Sequence, residues 1–546
     1  MPASEIIYTT GYLSMQASKQ YENQFNSTPM TESKTNLIPQ NYQSFGPLCS
    51  DDGSQIRHSA SQTAQVHFCT LDSSLTTSGN NTTYNSPSTV SISPASGSPV
   101  SYQDYHSDNN YGSPVSVSCI TEDPNDLQHK LRELENAMLG PDSDNPVDSI
   151  QSAFQSHLSL DPENWMPMMG IPRGDLKQAL LACARAVAEN EISLAEWLIT
   201  QSRQMVSVSG EPLQRLGAYM LEGLVARLAS SGSSIYKALK CKEPASADLL
   251  SYMHLLYEAC PYFKFGYLSA NGAIAEAFKG EDRVHIIDFQ IAQGTQWVTL
   301  LQALAKRPGG PPHVRITGID DSVSSYARGG GLHIVGQRLS HYANSLGVPL
   351  EFHPAVMSGC EVHPADLWVQ PGEALAVNFA FQLHHLPDES VNTVNIRDRV
   401  LRLVKSLSPK VVTLVEQESN TNTAPFLPRF EETLSYYTAI FESIDVRLAR
   451  EDKERINVEQ HCLARDIVNI IACEGAERVE RHELLGKWKA RFTMAGFTPV
   501  PLSPPVNATI KQLLEAYSKK YTLEERDGTL YLGWMNRHLV VSCAWR

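Results

Sequence analysis

Acidic residues close two apolar runs of this sequence, where an α/β fold would hold part of a bound cofactor. Asp288 closes the first run, and Asp320 and Asp321 close the second. An acidic side chain after the second strand can hydrogen-bond ribose hydroxyls. The loop after the first run should then be rich in glycine, because side chains keep the backbone away from a ligand. It instead contains Gln290 and a single glycine, Gly294. We therefore expect a vestigial ligand pocket without a cofactor.

Other residues that could do chemistry give weaker signals. His384 and His385 are adjacent, and neighbouring strand residues point to opposite faces, so a shared metal is not expected. The run Gly329–Gly331 lacks the Gly-Lys-Ser/Thr ending of a P-loop. The sequence has no Gly-x-Ser-x-Gly elbow, and its 10 cysteines show no C-x-x-C spacing. These patterns predict no catalytic residue, no metal ligand and a turn-packing role for the histidine pair.

Alternating strands and helices must position the acidic residues. The first run is short and rich in β-branched residues, which predicts a buried strand with Val284–Ile287 in the core. The predicted strands are Arg283–Asp288, Val314–Asp320, Leu350–Ala355, Ala374–Phe381, Lys410–Glu416, Thr529–Trp534 and His538–Trp545. The last two are close enough to pair as a hairpin. The order predicts an α/β fold with a doubly wound sheet, and it resembles class I S-adenosylmethionine-dependent methyltransferases.

The part of the chain before the first strand shows helical spacing of apolar residues. Asp175 is a plausible N-cap for the first of these helices, and Ser193 with Glu196 matches a capping box for the second. Further helices are predicted over Leu213–Leu228, Ser246–Ala259 and Tyr262–Phe278. Leucine stripes of this kind fit either core packing or a dimerisation face.

Residues 1–124 are dominated by Ser, Thr, Asn, Gln, Gly and Pro, with isolated apolar residues. Such a segment cannot bury enough apolar surface to offset its chain entropy, so we expect it to be disordered. Residues 125–171 are predicted to be a short amphipathic helix followed by a polar linker. The N-terminus shows no signal peptide, and no apolar run is long enough for a membrane span.

The distribution of charge bears on nucleic-acid binding. A formal net charge of −15 argues against a broad non-specific contact with nucleic acid. The best local basic cluster is Lys487, Lys489 and Arg491 around Trp488, for which a solvated helix face is favoured over phosphate contacts. Residues 478–481 are interpreted as the start of a helix with exposed local ion pairs, which stabilise little.

Several motifs in order resemble the plant GRAS family of transcriptional regulators. The motif Val284, His285, Ile286, Ile287 and Asp288 matches the VHIID element unchanged. A degenerate PFYRE element, an RVER element at 478–481, and a SAW element with an inserted cysteine at 542–545 follow. On this resemblance, 172–546 is a GRAS domain. Its regions are leucine repeat I at about 177–237, VHIID at about 253–318, leucine repeat II at about 334–366, PFYRE at about 375–469 and SAW at about 472–546.

Longer strings such as HIIDFQIAQGTQW and LVEQESNTNTAPF are similar to the phytochrome A signal transduction branch, which includes scarecrow-like and chitin-inducible gibberellin-responsive proteins. The resemblance implies a methyltransferase-like Rossmann core with an N-terminal helical cap and no catalysis. It implies a nuclear protein with a cytoplasmic pool, acting in light, stress, elicitor or hormone signalling. Implied partners are other GRAS proteins, in homo- or heterodimers, and DNA-binding transcription factors, with DNA contacted directly or through them.

The resemblance also assigns a partner-binding leucine face to the helix after the second strand. This face consists of Leu332, Val335, Leu339 and Leu346. Two rival hypotheses stay open at this point. One is a methyltransferase-like protein that binds or converts a small molecule, and the other is a factor that itself reads a DNA sequence.

Overall fold

A computed structural model describes residues 162–229, 246–320, 331–391 and 393–546. The predicted disordered tail, the predicted amphipathic helix at 126–139 and Asp321 lie outside these residues. Within the described ranges, no helix is both long and apolar enough to cross a membrane.

The core of the fold is one mixed sheet of nine strands. The strands are β1 Arg283–Asp288, β2 His313–Asp320, β3 Leu350–Val356, β4 Ala374–Ala380, β5 Val411–Gln417, β6 Pro499–Val500, β7 Tyr521–Arg526, β8 Thr529–Trp534 and β9 Arg537–Trp545. Their order is β3-β2-β1-β4-β5-β9-β8-β7, with β6 on β9. Strands β1 to β5 are parallel, and β9, β8 and β7 join them antiparallel. The predicted doubly wound α/β sheet with a terminal hairpin is confirmed.

The C-terminal end of the sheet contains more strands than predicted. Strand β7 precedes the hairpin and pairs with β8 along its whole length, and the short β6 pairs with the end of β9. The sequence of β7, YTLEER, ends in charged residues that are exposed or half-buried. An edge strand of this kind lacks the apolar pattern that predicts buried strands.

Helices surround the sheet. They are α1 Pro162–Met168, α2 Leu176–Ala188, α3 Ile192–Ser202, α4 Pro212–Leu228, α5 Ser246–Ala259, α6 Tyr262–Ala277, α7 Thr295–Ala305, α8 Leu332–Ser345, α9 Ile396–Ser406, α10 Phe426–Asp445, α11 Lys453–Val458, α12 Ala464–Ala472, α13 Leu485–Met494 and α14 Pro504–Glu515. Short 3-10 turns lie at 203–205, 364–367, 383–385 and 475–477, and a π-helical turn lies at 459–463.

The helical cap comes from two separate parts of the sequence. Helix α4 packs against α10 and α12, which belong to the insertion after β5. Arg215 of α4 and Glu459 of the insertion are both fully buried and lie 3.0 Å apart. Removing one partner of such a pair would leave a buried charge uncompensated, so the pair fixes how the two segments meet. The cap is thus larger than the N-terminal one that was predicted.

The N-terminal boundary and one helix cap differ from the predictions. Helix α1 lies in the predicted linker, and its Trp165 is fully buried in the main core. The side chain of Asp175 accepts a hydrogen bond from the backbone of Gln178, so the predicted N-cap of α2 is confirmed. The capping box at Ser193 is wrong, because α3 already begins at Ile192 and has no side-chain cap.

Two hydrophobic clusters sandwich the sheet. Val284 and Ile286 of β1 pack into the cluster that includes the helical cap, and Ile287 packs into the cluster formed with α9 and α13. The intervening His285 is fully buried, and its Nε2 lies 2.9 Å from the hydroxyl of Thr317. The expectation that Val284–Ile287 are core residues is confirmed.

Candidate functional site at the carboxyl edge of the sheet

Asp288 stands at the end of β1, where the strand order reverses between β1 and β4. Ligands of open α/β sheets bind in the crevice outside such a point. Here both carboxylate oxygens already have partners within the chain. Oδ2 accepts from the indole of Trp297 at 2.9 Å, and Oδ1 accepts from the amide of Asn378 at 3.1 Å. The backbone N–H of Gln290 also donates to Oδ1, at 3.3 Å, so the expectation that Asp288 orders its loop is confirmed.

A chain of buried polar groups continues from Asp288 across three strands. We call Asp288, Trp297, Asn378, Gln296 and Thr413 the Asp288 network. Asn378 and Gln296 exchange two amide hydrogen bonds, at 3.1 and 3.2 Å. The hydroxyl of Thr413 donates to the oxygen of Asn378 at 2.8 Å. A fully connected network is stable in a low-dielectric interior and leaves few polar atoms for a ligand.

The electrostatics of Asp288 follow from its burial. Loss of hydration disfavours the carboxylate and raises its pKa to about 6, although the three hydrogen bonds act in the opposite direction. The nearby carboxyl of Asp320, which ends β2 and is itself buried, adds to the rise. These two acidic residues therefore lie near each other at the carboxyl edge of the sheet. Asp321 lies outside the described residues.

The loop after β1 packs closely against β2 and α8. Gly294 adopts a left-handed conformation with φ of 72° and is the N-cap of α7. An added Cβ at Gly294 would lie 3.0 Å from Leu339, so the glycine serves close packing against α8. Ile291 is buried, and its side chain covers Gly318 of β2, where an added Cβ would lie 2.8 Å away. Gln290 is half-buried. Bulky apolar side chains of the loop and of α8 thus pack closely at this point.

The predicted partner-binding leucine face is corrected. Leu332, Val335 and Leu339 are at most 2% exposed and belong to the main core. Leu346 is half-buried and packs against the same core. These side chains cover the β1 loop and the sheet, so in the described fold they offer no face to a partner. Core packing was the alternative interpretation of the leucine stripe.

A second polar cluster lies where the segment 478–484 passes the ends of β4 and β5. We call His384, Glu416, Glu480 and His482 the histidine cluster; all four are buried. His384 Nδ1 lies 2.6 Å from Glu416 Oε2. His384 Nε2 and His482 Nε2 lie 3.4 and 3.6 Å from Glu480 Oε2. These residue types and distances could hold a divalent metal.

The charges of the histidine cluster are strongly coupled. Burial disfavours an imidazolium, but Glu416 and Glu480 outweigh it and raise the pKa of His384 to about 10. Burial and the neighbouring His384 hold the pKa of His482 well below its usual range. Burial and the charge of Glu480 hold the pKa of Asp466 well above its usual range. Local patterns did not predict roles for Glu480 and His482 in this cluster, and a signal for them exists only in their i, i+2 spacing on an extended segment.

The interpretation of residues 478–481 as an exposed helix start is wrong. The segment runs without helix between a 3-10 turn and α13, and Arg478, Glu480 and Arg481 are buried. The guanidinium groups are satisfied mainly by backbone oxygens, as in the 2.6 Å bond from Arg481 Nε to the carbonyl of Arg478. Because those acceptors come from the folded backbone, the residue types alone do not reveal the burial.

The predicted basic cluster is also altered by the fold. Lys487 is exposed and Lys489 half-buried on α13, as a solvated helix face requires. Trp488 and Arg491 are instead buried, and Arg491 pairs with the carboxylates of Glu389, Asp398 and Glu483. A guanidinium that is neutralised in this way is not available for phosphate contacts.

The fold and motifs agree with comparisons to known proteins. The model of the GRAS domain family matches residues 176–546. The chain is 70% identical to Chitin-inducible gibberellin-responsive protein 2 of Oryza sativa subsp. japonica over 462 residues, covering 85% of each chain. It is 68% identical to Scarecrow-like transcription factor PAT1 of Arabidopsis thaliana, covering 79% of this chain and 88% of that protein. The crystal structure of SCL7 from Oryza sativa matches with a TM-score of 0.61 and 39% identity, covering 68% of this chain and 99% of that one. The chain therefore belongs to the GRAS domain family.

Proposed function

We propose that this protein is a non-enzymatic regulator of transcription that acts through contacts with other proteins in plant signalling. The observation that carries the proposal is its 68% identity to a protein named a transcription factor, over most of both chains. The Asp288 network supports the non-enzymatic part, because the groups that would hold a cofactor bond to one another. The nucleus, with a cytoplasmic pool, is the proposed location.

The proposed partners are other GRAS proteins and DNA-binding transcription factors. Because the leucine face of α8 is buried, we propose that partner proteins bind elsewhere on the chain. The pairing of Arg491 with neighbouring carboxylates favours DNA contact through partners over direct binding. The acidic net charge of −15 also favours DNA contact through partners over direct binding.

A tethering experiment tests the regulatory function. The full chain is fused to an unrelated DNA-binding domain and directed to a reporter promoter in plant cells. Reporter transcription is expected to rise or fall several-fold relative to the DNA-binding domain alone. Unchanged transcription with equal amounts of nuclear fusion protein would contradict the proposal.

A gel-shift salt series tests the role of DNA. The purified full chain alone is expected to bind promoter DNA weakly, without sequence preference and with an affinity that falls steeply with salt. Tight binding to one sequence over its scrambled control, at physiological salt and without a partner, would favour a direct DNA-binding factor instead.

A further inference from the structure

Three buried ligand atoms converge within the histidine cluster. The atoms of His384, Glu480 and His482 all lie within 4.8 Å of one another. The two Nε2 atoms lie 3.4 and 3.6 Å from the same oxygen, Glu480 Oε2. In a tetrahedral zinc site with bonds of 2.0–2.1 Å, neighbouring ligand atoms are about 3.3 Å apart. Two of the three ligand-atom distances are thus close to those of a zinc site, and the third is at most 4.8 Å.

His482 presents a bare nitrogen to this centre. The hydroxyl of Thr421 donates its only hydrogen to the backbone oxygen of Glu480, at 3.3 Å. The hydroxyl oxygen of Thr421 lies 3.0 Å from His482 Nδ1. In the tautomer in which Nδ1 donates to this oxygen, Nδ1 carries the proton. Nε2 then has a free lone pair. It is buried and has no hydrogen-bond partner among the described residues.

The backbone on both sides holds His482 in this orientation. The N–H of His482 donates to the Thr421 hydroxyl at 3.0 Å, and its carbonyl accepts from Thr421 and Asn422, both at 3.1 Å. The side-chain oxygen of Asn469 accepts from the N–H of Glu480 at 3.0 Å. The ligand segment is therefore fixed before any ion binds, which lowers the entropy that binding would cost.

The ring of His384 contacts a carboxylate on the side that faces away from Glu480, as is typical of a metal-binding histidine. Metal-binding histidines usually donate the second ring N–H to a carboxylate, which fixes the ring and raises its basicity. Glu416 fills this role, because Oε2 lies 2.6 Å from His384 Nδ1 while Oε1 accepts from backbone N–H groups, including that of Leu383 at 2.8 Å. His384 Nε2 is left to face Glu480.

We propose that His384 Nε2, His482 Nε2 and Glu480 Oε2 bind one zinc ion, with a water as the fourth ligand. His385 Nε2 holds the other oxygen of Glu480 at 3.3 Å. The ion takes the place of the proton on His384 Nε2, which passes to solvent. Glu416 and Glu480 then balance the two positive charges. The ion would join the turn after β4 to the segment 478–484, so its role is to stabilise that contact.

Zinc titration of the purified full chain against a chromophoric chelator tests the site. The wild type is expected to bind one Zn²⁺ per chain more tightly than the chelator. His482→Asn keeps a nitrogen near the Nδ1 position for Thr421 but lacks Nε2, so its affinity should fall by more than about tenfold. His363→Asn changes an exposed histidine, with 73% of its side chain accessible, and should bind like the wild type.

Cobalt(II) separates this site from adventitious binding by the free cysteines. Bound cobalt should show d–d bands without a thiolate charge-transfer band, because no cysteine belongs to the site. Circular dichroism reports the folding of each variant, and Glu480→Gln provides the same comparison if His482→Asn unfolds. Absence of stoichiometric binding by the wild type, equal affinity in the folded ligand variant, or a thiolate band would each overturn the proposal.

Discussion

Two buried polar clusters at the same edge of the sheet differ in whether all their hydrogen-bonding groups have partners within the chain. In the Asp288 network, both carboxylate oxygens of Asp288 have hydrogen-bond partners within the chain, and so do the nitrogen and the oxygen of the Asn378 side chain. In the histidine cluster, the Nε2 of His482 has none among the described residues. Other buried side-chain atoms of the described residues also lack a hydrogen-bond partner, so His482 Nε2 points to a ligand only together with the nearby ligand atoms of His384 and Glu480.

The two clusters also differ in the elements that supply their residues. The partners of Asp288 come from the following loop, from α7 and from the neighbouring strand β4, as Gln290, Trp297 and Asn378 show. The histidine cluster joins residues almost a hundred positions apart, since His384 follows β4 and His482 precedes α13. The Asp288 network lies at the point where the strand order reverses, and the histidine cluster lies at the ends of β4 and β5.

The largest effect is expected from breaking the Asp288 network at its middle. Asn378→Leu keeps the approximate volume but leaves the side-chain oxygen of Gln296 without its donor, and it removes one hydrogen bond each from Asp288 Oδ1 and the Thr413 hydroxyl. The free energy of unfolding should fall by about 4 kcal/mol, since each unsatisfied buried group costs about 1–3 kcal/mol. Urea unfolding of the full chain measures this. A loss below about 1 kcal/mol would mean that the network is not closed as described.

The raised pKa of Asp288 predicts a pH effect on stability. Below pH about 4 the residue is protonated in both the folded and the unfolded chain. As the pH rises from about 4 to about 6, the unfolded chain loses this proton first, so the free energy of unfolding falls by up to about 3 kcal/mol and then stays constant. Asp288→Asn lacks this contribution.

The measurement is the difference in unfolding free energy between the wild type and Asp288→Asn, taken by urea unfolding across this pH range. The wild type should lose stability relative to the variant as the pH rises. Taking the difference removes the titration of groups that the two proteins share. Parallel pH profiles would show that the carboxyl of Asp288 has an ordinary pKa.

Glu416→Gln is expected to affect the histidine cluster and not the Asp288 network. Its oxygen still accepts from the backbone N–H groups, but its NH₂ group now faces His384. The free energy of unfolding should fall by about 2 kcal/mol. Zinc affinity should fall by about 10- to 100-fold, as for other outer-shell carboxylates. Chelator competition measures the zinc affinity, and Thr413→Val is the control that leaves the histidine cluster intact. Equal zinc affinity in the wild type, Glu416→Gln and Thr413→Val would show that Glu416 does not support the site.

The smallest effect is expected at the end of the Asp288 network. Thr413→Val removes one hydrogen bond to Asn378, at 2.8 Å, and keeps the shape of the side chain. The free energy of unfolding should fall by about 1 kcal/mol, and zinc affinity should not change. If the loss equals that of Asn378→Leu, the network is not organised around Asn378.

Local patterns were sufficient to predict most of the fold. The β-branched run at Val284–Ile287 and the apolar spacing of Ser246–Ala259 reflect burial of neighbouring residues, and both elements lie where they were predicted. Strand β7 was missed because its edge position tolerates charged residues. The cap of α3 was misplaced because a Ser-x-x-Glu pattern does not show whether the backbone has already turned into the helix.

The sites were harder to predict because their geometry depends on distant segments. The crowded loop with Gln290 was visible in the sequence, but the pairing of Asp288 with Asn378 was not. The adjacent His384 and His385 were judged alone, since nothing local shows that Glu480 and His482 pack against them. Burial of charged residues requires partners elsewhere in the chain, and their identity is not contained in local spacing.

Calorimetric titration of the purified full chain with S-adenosylmethionine tests most directly whether the crevice at Asp288 is closed. The pairing of Asp288 with Trp297 and Asn378, and the side chain of Ile291 over Gly318, predict no heat beyond dilution at millimolar ligand. Binding with micromolar affinity that Asp320→Ala abolishes, in a variant that still folds, would contradict the account and restore a ligand-binding function to the sheet edge.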